Sequence, residues 1–172
     1  MRKSKSKSKS KCSTIRLKRG SDESGAFSHY YRLSQRIGIK VIRAYEAWCF
    51  QDPLATVKEL KQSLLWKQAL EEVRLLRKAR KSKVVPRCYR LVPVKVSEGF
   101  YPGIVMQHIN GELLRDRHTD TPVQEEIKDQ LKEQLAQAGL LMGDLHICNV
   151  IVDSKEKCWA IDFSPSFVEV VS

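Results

Sequence analysis

Near its C-terminus the chain reads GLLMGDLHICNVIVDSKEKCWAIDFS, from Gly139 to Ser164. Asp144, Asn149 and Asp162 stand beside or inside apolar runs there, where an unpaired polar group is costly to bury. Two carboxylates and a carboxamide are oxygen donors, the kind of group a hard cation such as magnesium takes together with phosphate oxygens and water. Far upstream, GIKVI places Lys40 inside an otherwise apolar strand, where Ile39 and Val41 point to one face and Lys40 shares the other with Ile42. A lysine in that position needs an explanation.

The elements that must position these groups are legible as patterns. From Thr14 to Ile42 short β-like runs broken by glycine, TIRL, then GSDESGAFSHYYRL, then GIKVI, read as a small antiparallel meander. Residues 52–81 carry a helical stripe of Leu65, Ala69, Val73 and Leu76, and Glu72 lies at its edge, able to face inward toward the sheet. Pro86 ends that segment, and two strand-like runs follow, CYRLVPVKV and GIVMQHI, separated by residues 97–102. After Gly111 a polar connection leads to a helix with Thr121 as N-cap, Pro122 at its first position, Gln124 completing a capping box and Gly139 as its stop. Val123, Ile127, Leu131 and Leu135 form its buried stripe. NVIVD and CWAIDF make a final hairpin.

In this order the pieces resemble the protein-kinase-like superfamily, and within it the small atypical branch of RIO-type kinases, KEOPS-complex kinases and aminoglycoside phosphotransferases. GDLHICN is similar to that branch's catalytic loop, usually HGDLHxxN, and AIDFS to its metal-binding DFG element. GSDESGAFSHYYRL resembles a glycine-rich phosphate loop, GIKVI the strand with the phosphate lysine, EVRLLRKARKSKVVP the following helix, and GIVMQHINGELL the hinge between lobes. The similarity covers about residues 14–163.

The resemblance implies an α+β, two-lobed fold, with a basic tail over residues 1–13, a small antiparallel N-lobe sheet and hinge over 14–108, and a truncated C-lobe over 109–172. It implies an ATP- and magnesium-dependent phosphotransferase of serine/threonine protein kinase type, acting on a protein or small-molecule hydroxyl. Asp144 would accept or orient the hydroxyl proton, Asn149 and Asp162 would hold magnesium, and Lys40 would contact the α and β phosphates. Glu72 would fix Lys40, with Glu71 as the fallback if the helix register differs. Gly20 and Gly25, wider apart than the family usually has them, would cover the phosphates with backbone N–H groups. Met106 would stand at the adenine entrance, with the backbone of Gln107 and Ile109 supplying hydrogen bonds. His146 stands where many kinases keep a lysine near the transferred phosphate, and a packing role beneath the loop is its other reading.

The chain departs from the pattern at two positions. Met142 replaces the histidine that usually opens the catalytic loop, and Ser164 replaces the glycine after DF. Nine residues follow Phe163, so a minimal or truncated core is expected, whose substrate surface either comes from a partner protein or does not exist. A pseudokinase or nucleotide-binding scaffold is the alternative function.

Composition bounds the remaining classes. The net charge of +11 resides mostly in residues 1–19, which hold nine Lys or Arg and no acid, leaving 22 basic against 20 acidic residues beyond them. The Lys-Ser repeat has nothing apolar to bury and is expected to be a solvated tail, able to touch nucleic acid or another polyanion non-specifically. A second run of eight basic residues spans Arg74 to Arg90 without an acid. Neither a membrane span nor a secretory signal is expected, and an intracellular, cytoplasmic protein is the expectation. Five scattered cysteines without a C-x-x-C pair argue against a disulfide framework and a structural zinc site.

Overall fold

Alternation and β-branched residues make strands of the early and middle chain, and the computed structural model describes residues 14–17, 23–24, 28–44, 54–96, 99–143 and 145–171. The first elements are β1 (Ile15–Arg16), β2 (Glu23–Ser24), β3 (Ser28–Arg32) and β4 (Ile37–Ile42). Two helices follow, α1 (Val57–Gln62) and α2 (Leu64–Ala79), then β5 (Cys88–Lys95) and β6 (Phe100–Gln107). Together the strands form one sheet in the order β1-β5-β6-β4-β3-β2. All its pairings are antiparallel except that of β1 with β5, which is parallel. The expected meander therefore holds for β2, β3 and β4 but not for β1, which crosses to the opposite edge. A two-residue strand has little local pairing to gain, and Ile15 and Arg16 find their ladder beside Val94 and Lys95.

The interior of this sheet is built from β4 and β6. Ile39, Val41 and Ile42 are buried, and β6 is buried from Tyr101 to Met106. This strand begins three residues before the GIVMQHI run that marks it in the sequence. Pro102 faces Pro93 across the β5/β6 ladder, which confines both missing N–H donors to one rung.

Helix α2 packs on β5 and β6. Its expected stripe of Leu65, Ala69, Val73 and Leu76 is buried, and so is Glu72. The helical region is two helices, because Ser63 closes α1 through its N–H to Leu60 and caps α2 by accepting from Trp66 N–H. Thr56 and Glu59 form the capping box that starts α1.

The rest of the described chain comprises β7 (Gly111–Leu113), α3 (Leu114–Arg117), α4 (Thr121–Gln137), β8 (Leu140–Met142), β9 (Val150–Asp153), β10 (Cys158–Ala160) and β11 (Val168–Val170). The expected hairpin is β9 and β10, with Trp159 opposite Ile151. It gains a third strand from β7, which the sequence disguises as a polar connection. Strand β11, within the residues that follow Phe163, pairs antiparallel with β8.

Helix α4 stops just before Gly139, whose φ of 78° lies in the region glycine favours, but its start differs from expectation. The N-cap is Asp120, no side chain caps it, and the Gln124 amide donates to the His118 carbonyl instead of closing a box. Gln124 is buried, so its amide serves an inward carbonyl. Leu131 and Leu135 are buried, whereas Val123 and Ile127 are half-buried. The architecture is mixed α+β with an antiparallel-rich main sheet, and among the described residues no helix is long and apolar enough to cross a membrane.

Candidate functional site

Three elements deliver one charged group each to the same point. Strand β4 presents Lys40, α2 presents Glu72, and the segment after β10 presents Asp162. The Lys40 Nζ donates to Glu72 Oε1 at 2.8 Å and to Asp162 Oδ1 at 2.6 Å. Glu72 is 1% exposed, Lys40 13% and Asp162 47%, so the pair with Glu72 is internal while Asp162 opens toward solvent. Burial by itself would lower the pKa of the Lys40 ammonium. The charges of Glu72 and Asp162 outweigh that penalty, and the pKa is raised above the ordinary lysine value.

Glu72 has a second oxygen, Oε2, buried with no hydrogen-bond partner among the described residues. An uncompensated acceptor of this kind is costly, and the Lys40 ammonium is the group that makes the burial tolerable. Glu71 does not compete, because it is exposed and pairs with Arg74.

Asp162 occupies the left-handed region, with φ of 65°. A non-glycine residue there carries backbone strain, although Asp bears it better than most. The strain coincides with a carboxylate aimed at Lys40. Its neighbour Ile161 donates its N–H to the Asn149 carbonyl at 2.8 Å, and Ala160 donates to Val84 at 2.8 Å. The first bond extends the β9/β10 hairpin by a rung and sets Asn149 beside Asp162. The second ties the hairpin to the exit of α2.

These groups line a cavity of about 650 Å³. Lys40, Glu72, Asn149 and Asp162 form one part of its wall, and Met106, Gln107 and Ile109 form another. Seven of the expected site residues are thus brought together. Three others, Gly20, Gly25 and Asp144, lie outside the described residues, as does the tail over residues 1–13.

Two expectations change in detail. The Gln107 N–H is already bonded to the Arg87 carbonyl at 2.8 Å, and the Gln107 side chain accepts from Arg87 N–H. That N–H is consumed in extending the sheet, so Gln107 cannot offer it to a base. His146 is exposed and caps the turn at Ile147–Asn149, its Nδ1 accepting from Cys148 N–H. It shapes the loop and is not among the cavity's lining residues.

The sequence reading missed Tyr30, His108, Glu112, Asp116 and Cys148, which also line the cavity. Period-two alternation could have found Tyr30, since it stands directly opposite Lys40. The Cys148 thiol accepts from the Arg115 guanidinium at 3.5 Å. Among the described residues, no three His, Cys, Asp or Glu side chains are grouped to hold a metal ion. The carboxamide and carboxylate of Asn149 and Asp162 nevertheless suit magnesium, which leaves most of its positions to phosphate and water. From the basic run between Arg74 and Arg90, Arg77, Arg80, Lys81, Lys83, Arg87 and Arg90 are exposed.

Scanned against protein-family models the chain matches none, and a search of curated proteins likewise finds no match.

Proposed function

We propose that the protein is an ATP- and magnesium-dependent phosphotransferase acting on a hydroxyl, in the manner of a small serine/threonine protein kinase. Residues 14–108 would serve as the N-terminal lobe and hinge, and 109–172 as a minimal C-terminal lobe. One observation carries the reading: Lys40 bridges Glu72 and Asp162 at 2.8 and 2.6 Å on the wall of a cavity that Asn149 and residues 106–109 also line.

Phosphoryl transfer asks for positioning and charge neutralisation more than for covalent work by the protein. Lys40 holds phosphate oxygens, and Glu72 keeps its ammonium in place. Asn149 and Asp162 hold magnesium, which when bound neutralises charge on the phosphates. Ile109 and the apolar wall at Met106 receive the base. Asp144 accepts the proton of the attacking hydroxyl as its oxygen bonds to the γ-phosphorus and the bond to the β-phosphate oxygen breaks, releasing ADP. The substrate is a protein serine or threonine, with a small hydroxyl compound as the alternative.

Transfer of labelled γ-phosphate to the protein itself or to a test substrate is the experiment. Asp144→Ala and Lys40→Met should each reduce it by at least a hundredfold. Unchanged transfer in Asp144→Ala counts decisively against the reading.

A second reading is favoured by two positions. Met142, buried and paired with Val168, fills the place of the family's histidine. Ser164 has a buried Oγ without a partner among the described residues. A nucleotide-binding scaffold would bind ATP and gain thermal stability without turnover; measured phosphate transfer excludes it.

A further inference from the structure

Tyr30 on β3 stands directly opposite Lys40 on β4, so the two side chains share the sheet face that lines the cavity. From there the phenol crosses Gly38 to reach His108, immediately after β6. Tyr30 Oη and His108 Nδ1 lie 2.9 Å apart, and the two rings stack with centroids 5.9 Å apart and planes inclined by 28°. The crossing exists because residue 38 has no side chain. A Cβ at Gly38 would stand 1.8 Å from the Tyr30 oxygen and 2.3 Å from the carbon that bears it. Gly38 is not among the glycines with positive φ, so the backbone itself makes no demand for glycine there. The ring makes it.

An aromatic strap therefore runs from β3 over β4 to the segment after β6, on the same cavity wall as Met106 and Ile109. We propose that the Tyr30–His108 strap is the surface on which this cavity stacks the flat base of its nucleotide, which makes the pair the base-binding contact and gives Gly38 its role. The inference rests on the phosphotransferase reading, since it needs a nucleotide. It goes further in assigning recognition of the base to residues separate from those that hold phosphate. Stacking on an aromatic side chain is tolerant of base identity and is worth roughly tenfold to a hundredfold in affinity when the ring is removed.

Titration calorimetry of the full chain with magnesium tests it, using ATP and base-less inorganic tripolyphosphate as the two probes. Tyr30→Ala should weaken ATP binding at least tenfold and leave tripolyphosphate within about twofold. Tyr30→Phe, which keeps the ring, should hold ATP within about threefold. Gly38→Ala, which pushes the ring away, should act like Tyr30→Ala. Tyr30→Leu, which keeps bulk without a π face, should lose ATP affinity as well and serves if the alanine variant does not fold.

Unchanged ATP affinity without the ring overturns the strap, as does equal loss of both probes. Tighter ATP binding in Tyr30→Ala also overturns it, since the ring would then occupy the place of the base. Wild-type protein that binds tripolyphosphate as well as ATP refutes the strap while sparing phosphate recognition. Failure of the wild type to bind either probe sinks both proposals.

Discussion

Lys40 and Asp162 are 122 residues apart in sequence and 2.6 Å apart in the folded chain. The two sides of that ammonium differ. Glu72 meets it in the interior, where an unmatched charge is expensive, and Asp162 meets it from a half-exposed position, where an ion pair contributes little. The Asp162 pair therefore contributes little to stability, in keeping with the metal-binding role proposed for this carboxylate.

That asymmetry predicts a stability pattern. Lys40→Met leaves the Glu72 carboxylate buried alone and should destabilise the protein by about 3 kcal/mol, in line with breaking a buried pair. Asp162→Ala should cost less than about 1 kcal/mol. The double variant Lys40→Met/Glu72→Met should recover most of the first loss. Urea unfolding midpoints check all three, and a stable single Lys40→Met variant would contradict the internal pairing.

The alkaline limb of stability follows chiefly from Lys40 and Cys88, with the Cys158 thiol, which burial also pushes up, adding in the same direction. For Lys40 the folded-state pKa is raised, so its contribution is complete below the ordinary lysine value of about 10.4 and is lost as pH climbs through the folded value. Burial pushes the Cys88 thiol up to about 11, with Arg77 opposing and Glu72 adding. The fold thus keeps a proton that the unfolded chain releases near pH 8.5. Both effects have the same sign. Urea midpoints should change little between pH 7 and 8 and fall above pH 9, and Cys88→Ala should remove the earlier part of the fall. Alkylation of native Cys88 at pH 8.5 should run at least tenfold slower than that of an unhindered thiol.

Gly111 marks where the cavity wall meets the hairpin. A Cβ there would stand 2.2 Å from the Val152 carbonyl oxygen, and backbone cannot step aside as a flexible side chain can. Gly111→Ala should destabilise by about 2 kcal/mol, within the range for overpacking. Gly143→Ala, whose new Cβ would find its nearest neighbour at 3.6 Å, should stay within about 0.5 kcal/mol. Thermal melts of the two variants side by side test the contrast.

Nucleotide with magnesium should stabilise the folded chain. A ligand present at a hundred times its Kd adds about 2.7 kcal/mol, a rise of roughly 5–10 °C in Tm for a chain of this size. Asparagine tolerates left-handed φ as aspartate does, so Asp162→Asn removes charge while sparing the backbone. Asp162→Asn and Asn149→Ala should each abolish the magnesium-dependent part of the shift. A shift independent of magnesium in the wild type would detach these two residues from metal binding.

Much of this site could be read before folding was considered, because each residue interrupts a pattern. Lys40 breaks the alternation of an apolar strand, and Glu72 sits at the edge of a helical stripe whose four apolar members are all buried. Other features had no such signature. β1 pairs with Val94 and Lys95 across the chain, and nothing in two residues specifies a partner so distant. Strand β7 is short and polar, and its pairing with β9 depends on a hairpin that forms later in the sequence. Thr121 matches the capping rule, yet Asp120 is the N-cap and the Gln124 amide donates to the His118 carbonyl. Alternation puts Tyr30 on the Lys40 face, but its reach to His108 depends on a neighbour, Gly38, that lacks a side chain.

The bridge at Lys40 also has a consequence for the order in which the molecule becomes competent. Its contacts span 32 and 122 residues, and such distant closures are slow steps for a folding chain. No N-terminal fragment that stops short of Asp162 can assemble the whole pocket, however well its sheet and first helices form. Capture of the proposed nucleotide would thus report on late closure, and during synthesis it would begin only after the β9/β10 hairpin has docked.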